Sequence, residues 1–192
     1  MTEGLSPELP MPEQSKIQPV IDRLKQLPHE QVKPRLDAKL QEAQALDPKA
    51  GIAIVPLEDV PIVENEGQEY GFYAARVMPA SPDNPNYVNP HYHLHGQEPY
   101  RFLSGTDGEM NTGRVVDGKV VWNPSQIVQP GDEVEVQEGE VHSFRNNGTE
   151  PYDFTFACPT SHLKDNDPDG APDGDRYFTK DIPDGIPPWY PK

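Results

Sequence analysis

His91-Tyr92-His93-Leu94-His95-Gly96-Gln97-Glu98-Pro99-Tyr100-Arg101-Phe102-Leu103-Ser104-Gly105 decides how this chain is read. Side chains alternate along an extended strand, so His91 and His93 point to one face. A carboxylate, Glu98, follows after four residues, and Gly105 offers a place to turn. The matching half arrives later, as Gly131-Asp132-Glu133-Val134-Glu135-Val136-Gln137-Glu138-Gly139-Glu140-Val141-His142-Ser143-Phe144-Arg145-Asn146. It brings His142 on a short strand after a glycine turn. Two imidazoles, a carboxylate and a third imidazole suit a divalent metal such as Zn, Fe, Mn, Ni or Cu.

Outward from these stretches the pattern is that of short strands. Ile52 to Val55, Val60 to Val63 and Tyr70 to Met78 read as β runs. Asp107-Gly108 predicts a hairpin into Glu109–Val116, and Asp117-Gly118 a second one into Lys119 to Trp122. Ile127 and Val128 lead to a turn at Pro130-Gly131. Tyr152, Phe154, Phe156 and Cys158 share one parity, as in a strand with one apolar face. Many short strands with turns between them predict a barrel or sandwich. The proline-rich loop from Met78 to Pro85 precedes the first histidine and is expected at the mouth of the site.

The two stretches resemble the motifs of the cupin superfamily. His91, His93, Glu98 and Gly105 match its first motif, and Gly131, Gly139, His142 and Asn146 match its second. Pro85 and Gln137 depart from the pattern at turn positions. The resemblance covers about residues 70 to 158. It implies an all-β, double-stranded β-helix (jelly-roll) barrel holding one divalent transition metal, Fe, Mn, Ni or Zn, on His91, His93, Glu98 and His142. Its spacing favours this set over a competing triple of His93, His95 and Glu98, and leaves His95 a group behind the ligands, a pocket proton donor or a strand-end histidine. Cupins are often dimers, and the resemblance extends that expectation to a homodimer here.

Outside the barrel, residues 1–14 read as a flexible arm and 15–50 as a helical extension. Ile17, Val20, Ile21, Leu24 and Leu27 follow a helical period, with Ser15 as a cap. A second helix is expected from Pro34 to Leu46, stopped by Asp47-Pro48. Both stripes are expected on the outside of the barrel, with a dimer contact as the alternative. The barrel proper spans 51–160. The tail, 161–192, is proline-rich, and its spaced aromatics imply that it is pinned to the barrel or to a partner subunit.

The chain has 192 residues, 32 of them acidic against 16 basic, for a net charge of −16. Such a surface repels phosphate backbones and anionic lipid, so nucleic acid and membranes are not expected partners. A single cysteine, Cys158, leaves no intrachain disulfide. With no leader-like start and no long apolar run, a cytoplasmic protein is expected.

Other residues invite a reading. Tyr100 shares parity with Glu98 and can place a hydroxyl beside the metal. Arg76, Arg101 and Arg114 are candidates for a substrate anion, though parity turns Arg101 outward. Cys158 and His162 suggest a thiol–imidazole pair, with a buried apolar cysteine as the plainer account. Asp165-Asn166-Asp167-Pro168-Asp169-Gly170 resembles the start of a calcium loop, with Asp173 at its ninth position and Arg176 where a glutamate belongs. A solvated acidic turn over 165–173 is the simpler account.

These features predict a metal-dependent enzyme acting on a small polar metabolite, with Glu98 and Tyr100 as catalytic groups. Isomerase or epimerase chemistry is preferred, since Glu98-Pro99-Tyr100 is similar to the E-x-Y of cupin-type phosphoglucose isomerases. An Fe(II)-dependent dioxygenase, or a decarboxylase or lyase, is the alternative within the same class. A non-catalytic small-molecule-binding barrel is the alternative outside it.

Overall fold

The computed structural model describes residues 15–81, 84–166 and 174–190. Two helices come first, α1 (Gln18–Lys25) and α2 (His29–Leu46). Twelve strands follow: β1 (Ile52–Pro56), β2 (Val63–Asn65), β3 (Gln68–Val77), β4 (His91–Tyr92), β5 (Glu98–Ser104) and β6 (Gly108–Val116). Then come β7 (Lys119–Trp122), β8 (Gln126–Val128), β9 (Glu133–Val136), β10 (Glu140–Asn146), β11 (Tyr152–Pro159) and β12 (Tyr177–Phe178).

The strands form two six-stranded sheets. One runs β1-β3-β11-β5-β9 with β2 beside β3, the other β12-β4-β10-β6-β7 with β8 beside β6. From β3 to β6, and again from β8 to β12, each strand lies in the sheet opposite its predecessor. This winding between two antiparallel sheets is a double-stranded β-helix, a jelly roll.

Strand parity explains the layers. On β3, Tyr73, Ala75 and Val77 point into the barrel, where they meet Phe102, Met110, Phe144, Tyr152, Phe154 and Phe156. Tyr70, Phe72 and Ala74 point outward, onto Val20 and Leu24 of α1 and Val32 and Leu36 of α2. The helical stripes therefore pack on the outside of the first sheet. Each fully buried leucine there contributes about 1.5–3 kcal/mol of apolar burial. The other parity of β11 is buried too, on the helix side of the sheet: Asp153 and Thr155 are covered there and Ala157 packs with the helices. Asp153 is matched by Arg76, whose Nε and Nη2 donate to its two oxygens at 2.7 and 2.8 Å. Asp37 of α2 accepts from the same guanidinium, and His29 meets Asp153 at 2.8 Å.

Several local expectations are corrected. α2 begins at His29 rather than Pro34, which lies inside the helix; burial of Val32 and Leu36 on either side offsets the missing amide bond. The first helix begins at Gln18, with Ser15 Oγ accepting only from the Ile17 amide. Val60 ends a turn that its amide closes by donating to the Leu57 carbonyl, residues 61 and 62 have no regular structure, and extended pairing starts at Val63. Asp107-Gly108 does not close a hairpin, because β5 and β6 belong to opposite sheets. Asp117-Gly118 does: both have positive φ, 49° and 75°, and join the paired β6 and β7, as a type I′ turn requires.

Among the described residues no helix is long and apolar enough to cross a membrane. The tail returns to the second sheet. β12 pairs with β4, and Tyr190 is buried with its hydroxyl on Asn111 and Ser143. The arm at 1–14 and most of the acidic loop considered for calcium, residues 167–173, lie outside the described residues.

Candidate metal centre

The regular part of the first motif is short. β4 ends at Tyr92, the chain bends through residues 94–96, and β5 begins at Glu98. Gly96 makes the bend possible: its φ is +84°, and a Cβ there would stand 2.5 Å from Gln68 and 2.8 Å from Pro159. So His91 and His93 reach the interior from a strand end and the bend after it, not from one regular strand. His142 comes from β10, where it pairs directly with His91.

All three imidazoles are held by the same device. His91 Nδ1 lies 2.6 Å from the Asn89 carbonyl, His93 Nδ1 2.6 Å from the Asp175 carbonyl, and His142 Nδ1 3.2 Å from the Glu140 carbonyl. A carbonyl accepts only, so each Nδ1 carries the proton and each Nε2 presents a lone pair. The three ligand atoms lie within 4.8 Å of one another. Nε2 of His93 and of His142 are buried with no hydrogen-bond partner. Buried polar atoms left without partners are rare, and imidazoles oriented by their second nitrogen are the usual metal-binding arrangement. The residues fit a divalent transition metal.

Glu98 adjoins the set. Its Oε2 is 3.2 Å from His93 Nε2 and 3.9 Å from His142 Nε2. A residue not assigned from the sequence joins it: His162, in the 3₁₀ turn Thr160–Leu163, stands 3.2 Å from the same Oε2 through Nδ1. His93, Glu98 and His162 make a second set of possible ligands that shares His93 with the first. Oε1 accepts from the Tyr100 hydroxyl at 2.6 Å.

The electrostatics agree with a cation site. Burial pushes His91 well below its ordinary value and His142 down to about 4, so both rings are neutral donors. Burial alone would raise the Glu98 carboxyl; contacts with His162, His93 and His142 outweigh it and hold the group well below the ordinary carboxylate range. Burial and the neighbouring Glu98 push the Tyr100 hydroxyl well above its usual value, so it remains a proton donor.

The other sequence candidates lie elsewhere. His95 is exposed. Arg76 is held beneath α2, Arg101 donates to the carbonyls of Lys25 at the end of α1 and of Leu27 just beyond it, and Arg114 is exposed. The cationic side chain that does line the cavity is Arg176, bridged to Asp165. Burial raises the Cys158 thiol well above its ordinary value, and His162 faces Glu98 rather than the sulfur. A thiolate nucleophile is therefore not supported. None of the described residues of the 78–85 loop lines the cavity.

That cavity has a volume of about 60 Å³, room for a handful of waters. His91, His93, Glu98, Tyr100, His142 and His162 form its polar wall; Ile54, Val88, Met110, Phe144, Phe154 and Phe156 form the apolar one.

No family model matches the sequence, nor does any curated protein. Among solved structures, the chain is similar to the cupin domain of Schizosaccharomyces pombe Cnp3, at 11% identity and a TM-score of 0.41 over 55% of this chain and 62% of that one. It is similar to a cupin-2 domain protein from Rhodospirillum rubrum, at 18% identity and a TM-score of 0.42 over 57% and 60%. A third is the DMSP lyase DddQ from Ruegeria pomeroyi, at 18% identity and a TM-score of 0.39 over 60% and 50%. The chain thus spans between 50 and 62% of the length of these structures. Nothing about activity follows from them.

Proposed function

We propose that this cupin-fold chain is a metal-dependent enzyme acting on a small polar metabolite, and that its chemistry is proton transfer of the isomerase or epimerase kind. The observation that carries the metal is the set of three buried imidazoles, each with Nδ1 on a backbone carbonyl. His91, His93 and His142 would hold the ion, with Glu98 beside them. When bound, a divalent ion supplies Lewis acidity toward a carbonyl or hydroxyl oxygen of the substrate.

The chain's own residues supply the rest. Glu98 is ionised and buried, with Tyr100 on one oxygen and His162 on the other. An ionised carboxylate beside a reacting carbon can accept a proton, and a neutral phenol next to it can donate one; the histidine contacts that keep Glu98 ionised also make it a weaker base. The apolar wall excludes bulk water and strengthens these electrostatics. Arg176 on the lining favours a substrate with an anionic group. The small volume favours a molecule of few atoms.

An Fe(II)-dependent dioxygenase is the second reading. The aromatic wall of Phe144, Phe154 and Phe156 favours it, because a dry cavity protects reactive intermediates.

Elemental analysis of protein purified without added metal, beside the His91→Ala plus His142→Ala variant, tests the metal. About one equivalent in the wild type and none in the variant is the expected result. Protein empty even after reconstitution would sink the enzyme reading. The metal's identity then narrows the chemistry: iron favours the oxygenase, while zinc, nickel or manganese leave isomerase or lyase chemistry open. Solvent deuterium incorporated into candidate hydroxy-carbonyl acids would establish proton transfer directly.

A further inference from the structure

The tail reaches into the metal centre at one residue. Asp175 lies far along the chain from the histidine stretch, yet it is buried against it. Its backbone carbonyl accepts from His93 Nδ1 at 2.6 Å. Its carboxylate accepts the next two backbone amides, Leu94 N on Oδ1 and His95 N on Oδ2, each at 2.9 Å. One residue thus meets three consecutive residues of the ligand-bearing bend. Oδ2 also lies 3.7 Å from His162 Nε2, whose hydrogen bond goes to the His95 carbonyl at 2.6 Å.

The bend needs such a partner. β4 has only two residues, so Leu94 and His95 have no strand neighbour to accept their amides. Buried or half-buried amides without acceptors are costly. The neighbouring tail residues run alongside the same stretch. Tyr177 and Phe178 pair with Tyr92 and His91, and Thr179 N donates to the Pro90 carbonyl. Without them β4 would be the edge of its sheet.

We propose that Asp175 is a positioning residue of the metal centre: through its carboxylate it holds the 94–95 backbone, and through its carbonyl it fixes which nitrogen of His93 faces the ion. This rests on the metal reading above. The carbonyl survives any substitution, so a variant acts through the two carboxylate-to-amide bonds that keep it in place. Groups that orient a metal-bound histidine typically change metal affinity 10–100-fold when removed.

The test is titration of Co²⁺ into the full-length protein after chelator treatment, followed by its visible absorption. Wild type, Asp175→Ala and Asp175→Asn are compared. Asp175→Ala is expected to weaken Co²⁺ binding by about 10–100-fold and to alter the visible spectrum at saturation, because the spectrum reports ligand geometry. Asp175→Asn keeps one acceptor oxygen and is expected to fall between. Both should keep the far-UV circular dichroism of the wild type. Affinity and spectrum unchanged in both variants would overturn the proposal. So would an affinity loss that tracks a lowered melting temperature while the saturated spectrum stays wild-type, since that marks general destabilisation. If Asp175→Ala does not fold, Asp175→Asn decides by the same two readings. A wild type that takes up no Co²⁺ would sink the metal reading and this proposal together; a wild type that binds, with variants that match it, sinks the proposal alone.

Discussion

The rings of His93 and His162 stack face to face, with centroids 3.8 Å apart and planes within 1° of parallel. Both reach the same carboxylate oxygen of Glu98, each at 3.2 Å. Their second nitrogens differ in what they hold. His93 is tied to the tail at Asp175, and His162 to the bend at the His95 carbonyl. Both held nitrogens face backbone carbonyls, so position separates the two rings: His93 is common to the three-histidine set and to the Glu98 set, whereas His162 meets the Glu98 set alone and is expected to act on the metal through Glu98. His162→Gln should keep about one equivalent of metal and bind it about tenfold more weakly, the low end for a group that orients a ligand. His93→Gln should lose the metal. Calorimetric titration of both variants with one metal separates the roles, and equal losses would contradict the assignment.

Tyr100 makes a narrower prediction. Its hydroxyl is buried and spends its proton on Glu98 Oε1 at 2.6 Å. Tyr100→Phe removes a hydrogen bond to a charged group and leaves the ring stacked on Phe156 at 5.6 Å. Metal content should not change, while stability should fall by about 1.5–3 kcal/mol in urea denaturation. If Tyr100 donates a proton in turnover, the rate falls by about 10²–10⁴. A variant of full stability and full rate would remove Tyr100 from the site.

The outer layer is tested at Arg76 and Asp153. This pair is buried beneath α2, and its hydrogen bonds hold the guanidinium charged. Asp153→Ala leaves that charge with Asp37 on the helix and His29 without its acid. Breaking one side of a buried ion pair costs about 3–5 kcal/mol. The urea midpoint should fall accordingly, while metal affinity stays within a few-fold, because this network lies on the face of the sheet away from the cavity. A large loss of metal together with an unchanged midpoint would contradict this layering.

How much of this is legible in the sequence depends on distance along the chain. The parity of Tyr152, Phe154, Phe156 and Cys158 and the spacing of the histidines and Glu98 are local, so they survive translation into structure. The double burial of β11 is not local: Asp153 and Thr155 read as a solvent face until α2 and Arg76 cover them. Asp107-Gly108 has the composition of a hairpin turn, and Asp107 does take positive φ. Composition does not say to which sheet the next strand goes. His162, Asp175 and Arg176 come from a stretch without period, and their neighbours are chosen by the path of the tail. His162 stands out in the sequence only as a neighbour of Cys158; its actual partner, Glu98, is 64 residues away.

The buried histidines also set a pH dependence for the metal-free protein. His142 titrates near 4 in the folded chain, and His91 well below its ordinary value, chiefly because burial disfavours their charged forms. Unfolded histidines titrate near 6.5. Between about pH 4 and 6.5 the unfolded chain therefore binds more protons, and stability falls as the pH is lowered through that window. For His142 the difference of about 2.5 pH units corresponds to about 3 kcal/mol, most of it lost by pH 4 and the rest below it. Glu98 adds to the fall at the acid end, since its depressed folded value means protonation costs a stabilising contact. Urea midpoints measured from pH 7.5 to 4.5 in the presence of chelator should decline steadily below about 6.5. His142→Gln should show a shallower decline, because the substituted side chain does not titrate. A flat profile, or the same slope in the variant, would mean that these imidazoles are not buried as neutral donors.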